Sequence, residues 1–125
     1  MRILVTGGAG FIGKSLIFKL LSSSKNVVFN IDKINYASSH KPIKKYCISN
    51  NINNYHFIQF DLSKEKGIKD ILKKSDPDLI FHLAAESHVD RSISRPRDFI
   101  QSNIVGTFNL LEASLDHYRH LSFER

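Results

Sequence analysis

Three glycines at intervals of three, Gly7, Gly10 and Gly13, separate a short apolar run from an amphipathic segment. At a junction of strand and helix, the first such glycine permits a tight turn. The second lets backbone approach a pyrophosphate, and the third allows a helix to pack closely. Free N–H groups at the helix start, aided by the helix dipole, then face the anion. Phe11 and Ile12 would begin that helix alongside the phosphates. Asp32 closes the second apolar run about twenty residues later, where a carboxylate can accept the hydroxyls of an adenosine ribose.

A rival pattern covers the same residues. Gly8 to Ser15, with Lys14 and Ser15 last, satisfies G-x-x-x-x-G-K-[ST], the triphosphate loop. Val27 to Asp32 also resembles a strand ending in a magnesium-binding aspartate. Three features favour the dinucleotide. Asp32 has the spacing of a ribose ligand. Phe11-Ile12 is bulky where triphosphate loops usually hold small or polar residues. Asp61-Leu62 and Leu83-Ala84-Ala85 fall just past two further predicted strands, around the same crevice. Because Asp32 would repel a 2′-phosphate, NAD is expected over NADP. Adjacent Lys33 softens that preference but offers no arginine fork.

The elements that must position these groups alternate along the chain. Arg2 to Thr6, Val27 to Ile31, His56 to Phe60 and Leu79 to Leu83 read as strands. The first helix carries Leu16, Ile17, Leu20 and Leu21 on one face and ends at Ser22-Ser23-Ser24. Residues 33–54 read as a long loop with at most a short helix. Ser63 is placed to cap a lysine-rich helix with Ile68, Ile71 and Leu72 inward, which Asp76-Pro77-Asp78 breaks. A long helix is predicted from Arg97 to Tyr118, with Ile100, Ile104, Phe108, Leu111 and Leu115 as its buried stripe. His120 to Arg125 could begin a fifth strand. The pattern predicts an α/β, Rossmann-type doubly wound parallel sheet, truncated at or before its fifth strand. Its last strand would be an exposed edge open to pairing or aggregation.

With 125 residues, 42% apolar and 24% charged, the chain is one domain or a piece of a larger one. Its net charge of +6 comes from lysines spread along the chain, several of them on the exposed face of a helix, so no nucleic-acid partner is expected. No secretory signal or membrane span is read. Cys47 is alone, which points to a reducing, cytoplasmic setting. The histidines lack metal-ligand spacing, so no metal is expected.

The run from His82 to Ser92, with Glu86-Ser87-His88-Val89-Asp90-Arg91-Ser92 its most specific part, adds a resemblance. Together with Thr6 to Gly13, Asn30 to Lys33 and Asn103 to Thr107, it closely resembles the dTDP-glucose 4,6-dehydratases, extended short-chain dehydrogenase/reductases. The resemblance covers nearly the whole chain and is least informative from Ser38 to Asn54. It implies cofactor contacts by Phe11 and Ile12 along the pyrophosphate, and by Asp32, Lys33, Ile34 and Asn35 at the ribose. Many relatives have threonine in place of Asn35. Asp61 and Leu62 would border the adenine, and Leu83, Ala84, Ala85, Glu86 and Ser87 would line the dinucleotide. Ser87 would also lie near the sugar nucleotide, and Ser102 would supply a hydroxyl to the cofactor. Asn103 reads as a satisfied polar residue bracing the loop after the fourth strand. His88 reads as packing beside the substrate rather than as an acid or base.

The family reaction turns dTDP-glucose into a 4-keto-6-deoxy sugar nucleotide and water, with NAD regenerated. It uses a tyrosine with lysine four residues later, and an adjacent Asp-Glu pair. Neither occurs here: His40, Asn50, Gln59 and Ser122 follow the four tyrosines at that spacing, and no Asp-Glu dipeptide exists. No catalytic residue is therefore assigned. The expectation is an amino-terminal fragment, inactive alone on dTDP-glucose. It would be either the cofactor half of a dehydratase, completed by a separate carboxyl-terminal polypeptide, or a catalytically dead NAD-binding remnant; its expected partners are a second copy, as a homodimer, or that complementing polypeptide.

Overall fold

The structure, a computed structural model, describes residues 1–121 as two compact units. The first contains residues 1–60 and 77–84; the second contains 61–76 and the residues from 85 onward.

In the first unit, β1 (Arg2–Thr6), β2 (Val27–Asp32), β3 (Tyr55–Gln59) and β4 (Leu79–His82) make a parallel sheet in the order β3-β2-β1-β4. The order 3-2-1-4 is that of a dinucleotide-binding half-sheet. Leu4 pairs with Phe29 on one side and Ile80 on the other. Ile3, Leu4 and Val5 are all buried, and a strand buried on both faces is expected to be continuously apolar. Alternation sends Ile3 and Val5 to one face. There they join Val28, with Ile17 and Leu21 from α1 (Phe11–Leu21) and Ile43 and Cys47 from α2 (Lys41–Ser49). Among the described residues β4 bonds only to β1 and forms an edge, as expected.

The stretch read largely as a loop thus contains a nine-residue helix, α2. Pro42 suits its first turn, and Ile43 and Cys47, four apart, are its only buried residues. Two apolar positions among lysines give too little period to announce a helix. Burial pushes the Cys47 thiol up, leaving an inert core residue.

In the second unit, α3 (Ile68–Ser75) packs against α6 (Gly106–Arg119). Lys69 pairs with Asp116 at 3.1 Å and His117 Nε2 lies 3.3 Å from Asp76. Ser63 does not cap α3: its N–H donates to Asp61 Oδ1, and the helix starts after Gly67. Asp76, left-handed at φ 42°, ends it before Pro77. The long predicted helix is instead composite. Following α4 (Val89–Ser94), α5 (Pro96–Phe99) leads into a π-helical segment (Ile100–Val105) and then α6.

The predicted buried stripe is wrong. Ile100, Ile104, Phe108, Leu111 and Leu115 are 50%, 59%, 56%, 64% and 49% exposed. The side turned inward carries Gly106, Asn109, Leu110 and Ala113. A Cβ on Gly106 would stand 3.3 Å from that of Leu62, and Asn109 Nδ2 donates to the Leu62 carbonyl at 2.9 Å. Small residues and one polar anchor permit this close approach, which a row of large apolar side chains would block. Ser122 to Arg125, most of the suggested fifth strand, lie outside the described residues; His120 and Leu121 form a turn after α6. No helix among the described residues is long and apolar enough to cross a membrane.

Candidate functional site

The glycine turn is shaped from both ends. Gly7 donates to the Ile31 carbonyl at 2.8 Å, extending the β1–β2 ladder, and then turns at φ 70°. A Cβ there would lie 2.6 Å from the Ala84 nitrogen. Gly13 presses on the turn rather than on a strand, since its Cβ would strike the Gly7 carbonyl. Gly10 differs from both. Its φ is −75°, and its Cβ would meet just one atom, the Gly7 oxygen at 3.2 Å. The protein leaves that side open.

The first hydrogen bond into α1 runs from Lys14 N–H to the Gly10 carbonyl at 3.1 Å, and Gly10 supplies no side-chain cap. The N–H groups of Phe11, Ile12 and Gly13 find no acceptor among the described residues. The first turn also holds no acidic residue to compensate the helix dipole. Phe11 and Ile12 are 87% and 69% exposed. Free donors, an uncompensated dipole, an open backbone and two bared apolar side chains suit an anion joined to an apolar body. A dinucleotide phosphate fits these residues.

Asp32 is bound into the same construction. It is 7% exposed. Its Oδ2 accepts the Ala9 N–H at 3.0 Å, while Oδ1 accepts the Ile34 N–H at 2.8 Å and the Ser38 hydroxyl at 3.2 Å. Ile34 turns left-handed at φ 55°, a conformation costly for a branched side chain unless its surroundings impose it. Asn35 Oδ1 accepts the Ala37 N–H at 2.9 Å, and the Ser38 hydroxyl holds the Asn35 N–H at 2.9 Å. Ser39 N–H closes the loop on the Ala9 carbonyl at 3.0 Å. Lys33 is half-buried, and its carbonyl accepts from Gln59 at 3.4 Å. Ser38 and Ala9 went unnoticed in the sequence; a serine six residues beyond the aspartate carries no period or motif.

A second feature missed by sequence reasoning lies where β1 and β4 end. Thr6, fully buried, accepts the Ala84 N–H on its hydroxyl oxygen at 3.3 Å and shares a hydrogen bond of 2.7 Å with His82 Nδ1. Burial holds the His82 imidazole below its ordinary 6.5, in the neutral form that can accept. Unfolded chain takes up this proton near the ordinary value, whereas folded chain does so at lower pH. The stability present above pH 6.5 is therefore lost as pH falls toward the depressed folded value. Melting temperature measured against pH should drop across that window in wild type. His82→Gln should flatten that part of the curve, and an unchanged profile would remove His82 from the account.

The remaining predicted residues of this unit are Leu83, exposed just past β4, and Ala84, half-buried under the Gly7 turn. In the second unit, Leu62 is buried and Asp61 caps the short turn to Ser63. Glu86 is buried while Ala85, Ser87 and His88 are exposed. Asn103 holds the Glu86 backbone at both groups: its Nδ2 donates to the carbonyl at 2.9 Å and its Oδ1 accepts the N–H at 2.8 Å. That is the bracing role read from the sequence. Ser102, half-buried, precedes it in the π-helical segment. Widened turns of this kind redirect side chains and recur at functional sites. Among the described residues no group of His, Cys, Asp and Glu side chains could hold a metal.

A family model described as GDP-mannose 4,6 dehydratase matches residues 4–123. The chain belongs to that family. Within the GDP-mannose 4,6 dehydratase family, it is 46% identical over 121 residues to dTDP-glucose 4,6-dehydratase of Haemophilus influenzae, covering 97% of this chain and 35% of the relative. An Escherichia coli enzyme of the same name is 45% identical, over 100% of this chain and 34% of its own. The chain thus spans about a third of the length of these curated relatives. Among solved structures, a Streptomyces venezuelae dTDP-glucose 4,6-dehydratase double mutant with NAD bound has a TM-score of 0.82 at 33% identity, covering 94% of this chain and 37% of that one. The Bacillus anthracis dTDP-glucose 4,6-dehydratase in complex with NAD scores 0.77 at 30% identity, covering 96% and 35%.

Proposed function

We propose that this member of the GDP-mannose 4,6 dehydratase family is the NAD-binding part of a dTDP-glucose 4,6-dehydratase. The observation that carries the reading is the joining of Asp32 to the glycine turn through the Ala9 N–H. One buried carboxylate both fixes the turn whose amides await an anion and stands ready for the adjoining sugar. NAD, when bound, supplies hydride acceptance and return. The residues present hold, orient and exclude. Gly7, Gly10, Phe11, Ile12 and Gly13 take the pyrophosphate, while Asp32, Lys33, Ile34 and Asn35 take the ribose. By their positions in the family pattern, Asp61, Leu62, Leu83, Ala84, Ala85, Glu86, Ser87 and Ser102 are assigned further cofactor contacts, and Ser87 a contact with the nucleotide sugar. The chemistry on the sugar needs residues that these 125 do not contain.

The triphosphate reading has less support. An aspartate that accepts three hydrogen bonds from its own backbone and a serine is poorly placed to serve magnesium. Calorimetry with NAD, NADP and ATP plus magnesium decides between the readings, with NAD expected tightest. Gly10→Ala should lower NAD affinity about tenfold or more, equivalent to about 1.4 kcal/mol. Because that Cβ would press on a single atom, the Gly7 oxygen at 3.2 Å, its melting temperature should fall far less than a Cβ at Gly7 would cause. Preferred binding of ATP with magnesium, or undiminished NAD binding by Gly10→Ala, would defeat the assignment.

We further propose that the exposed stripe of the π-helical segment and α6 meets another polypeptide, either a second copy or one supplying the rest of the dehydratase. Contiguous apolar patches beyond a few hundred Å² on a surface mark interaction sites. Phe108→Glu, at a position already 56% exposed, should leave the fold intact while abolishing association seen by light scattering. Monomeric wild type at every concentration, with no gain on adding a carboxyl-terminal dehydratase segment, would refute it.

A further inference from the structure

Two polar side chains of β2, Asn30 and Asp32, stand two residues apart and so share one face of the sheet. Asp32 takes the N–H of Ala9. Asn30 meets the residue just before it in the turn. A Cβ on Gly8 would collide with Asn30 Oδ1 and lie 2.6 Å from Asn30 Cγ, so Gly8 must present a Cα–H to the amide. Asn30 is fully buried, and its Oδ1 has no hydrogen-bond partner among the described residues. The other end of the amide is fixed, because Nδ2 donates to the Tyr55 hydroxyl at 2.9 Å. Burial, foremost, pushes the Tyr55 phenol up to about 12, which keeps it neutral and able to accept.

Leaving a buried amide oxygen without a conventional donor is costly, and valine would fill a central strand position without that cost. Packing of β2 alone therefore gives no reason for asparagine here. The turn above it does. An oxygen facing a Cα–H makes a weak directional contact that an apolar side chain cannot supply. A neutral amide does this without placing negative charge beneath an anion site, as aspartate would.

We propose that Asn30, held by Tyr55, is a positioning residue for the diphosphate: it fixes Gly8 from below and so aims the N–H groups that follow, without touching the cofactor. This rests on the dinucleotide reading above. It makes Gly8 and Asn30 an interlocking pair, a role no spacing in the sequence announces.

The test uses the whole 125-residue chain and two probes, NAD and adenosine, titrated against wild type, Asn30→Val and Tyr55→Phe. Both variants should bind NAD about tenfold more weakly while keeping adenosine within about twofold, because only the diphosphate depends on the aimed amides. Tyr55→Phe removes a single oxygen and maintains the test should Asn30→Val fold poorly. Asn30→Asp adds a second readout: NAD affinity should be lost at neutral pH and recover as pH falls enough to make the carboxyl neutral. Wild-type NAD affinity in Asn30→Val and Tyr55→Phe would overturn the proposal, as would equal loss of NAD and adenosine. Wild type that takes adenosine but not NAD would instead overturn the dinucleotide reading itself.

Discussion

Gly7→Ala should destabilise the chain by about 2–5 kcal/mol, a large share of the roughly 5–15 kcal/mol that holds a domain together. Two costs combine. Residue 7 sits at φ 70°, where a Cβ costs about 1–2 kcal/mol. That Cβ would also lie 2.6 Å from the Ala84 nitrogen, 2.7 Å from its Cα and 2.7 Å from the Leu83 carbonyl carbon. All three are backbone atoms, so no rotamer change relieves the clash, and overpacking of this kind costs about 1–3 kcal/mol. The turn is anchored on both sides, by its N–H to Ile31 and by Leu83 N–H to the Thr6 carbonyl at 3.0 Å, so it cannot drift away from the obstacle. At about 4–8 °C per kcal/mol for a small domain, the melting temperature should fall by at least about 8 °C. Ala84→Gly should not rescue the variant, because the obstructing atoms remain. A Gly7→Ala chain melting within about 2 °C of wild type would show that the turn can be rebuilt at little cost, and the close approach would lose its meaning.

What the sequence disclosed and what it concealed divide along sequence distance. The strands and the glycine turn are local. Ile3-Leu4-Val5 is continuously apolar because all three are buried, and Gly13 is a glycine because of atoms within the same short motif, whereas the atoms that crowd Gly7 belong to Leu83 and Ala84. Asp32 was legible because its distance from the turn is fixed by one helix and one strand. The buried polar residues were not, because each is explained by a partner far along the chain: Tyr55, 25 residues from Asn30; His82, 76 from Thr6; the Leu62 carbonyl, 47 from Asn109. Asn103 was the exception, read correctly because its motif came with a resemblance.

The error over α6 has a different origin. Helical periodicity reports that Phe108, Leu111 and Leu115 share a face of α6, and all three are exposed together. It does not report what that face meets. Within the chain, α6 turns inward the side with Gly106 and Ala113, where helix and neighbour can approach closely, and leaves its most apolar side exposed. Hydrophobic patterning thus identified a shared helix face and wrongly assigned it to the interior. The same confusion hid α2, where two buried residues among lysines sufficed because Ile43 and Cys47 complete a core that α1 and the sheet had largely formed.

Removing the Asp32 carboxylate should have the largest effect on binding: Asp32→Ala is expected to weaken NAD about 100-fold and to erase discrimination against NADP. Hydrogen bonds to a charged group contribute about 1.5–3 kcal/mol, so losing the ribose contact alone accounts for roughly ten- to hundredfold. The rest comes from the turn, since the Ala9 N–H loses its acceptor and the loop carrying Ile34 and Ser38 is released. That second part is a stability effect, and affinity for NAD by itself would not separate it from recognition. The ratio of NAD to NADP affinity does. A carboxylate within about 4 Å of a 2′-phosphate repels it by up to about 4 kcal/mol near a protein surface, so wild type should prefer NAD by about 100-fold. A carboxylate has about four acceptor positions, and three donors from the chain already occupy Asp32, so a ribose hydroxyl finds room where a phosphate dianion does not. Loosening the loop weakens both cofactors alike and leaves their ratio untouched; deleting the charge collapses the ratio. If Asp32→Ala retains the wild-type preference while losing affinity, Asp32 is a structural brace and discrimination lies elsewhere. If it retains both, the carboxylate does not meet the ribose.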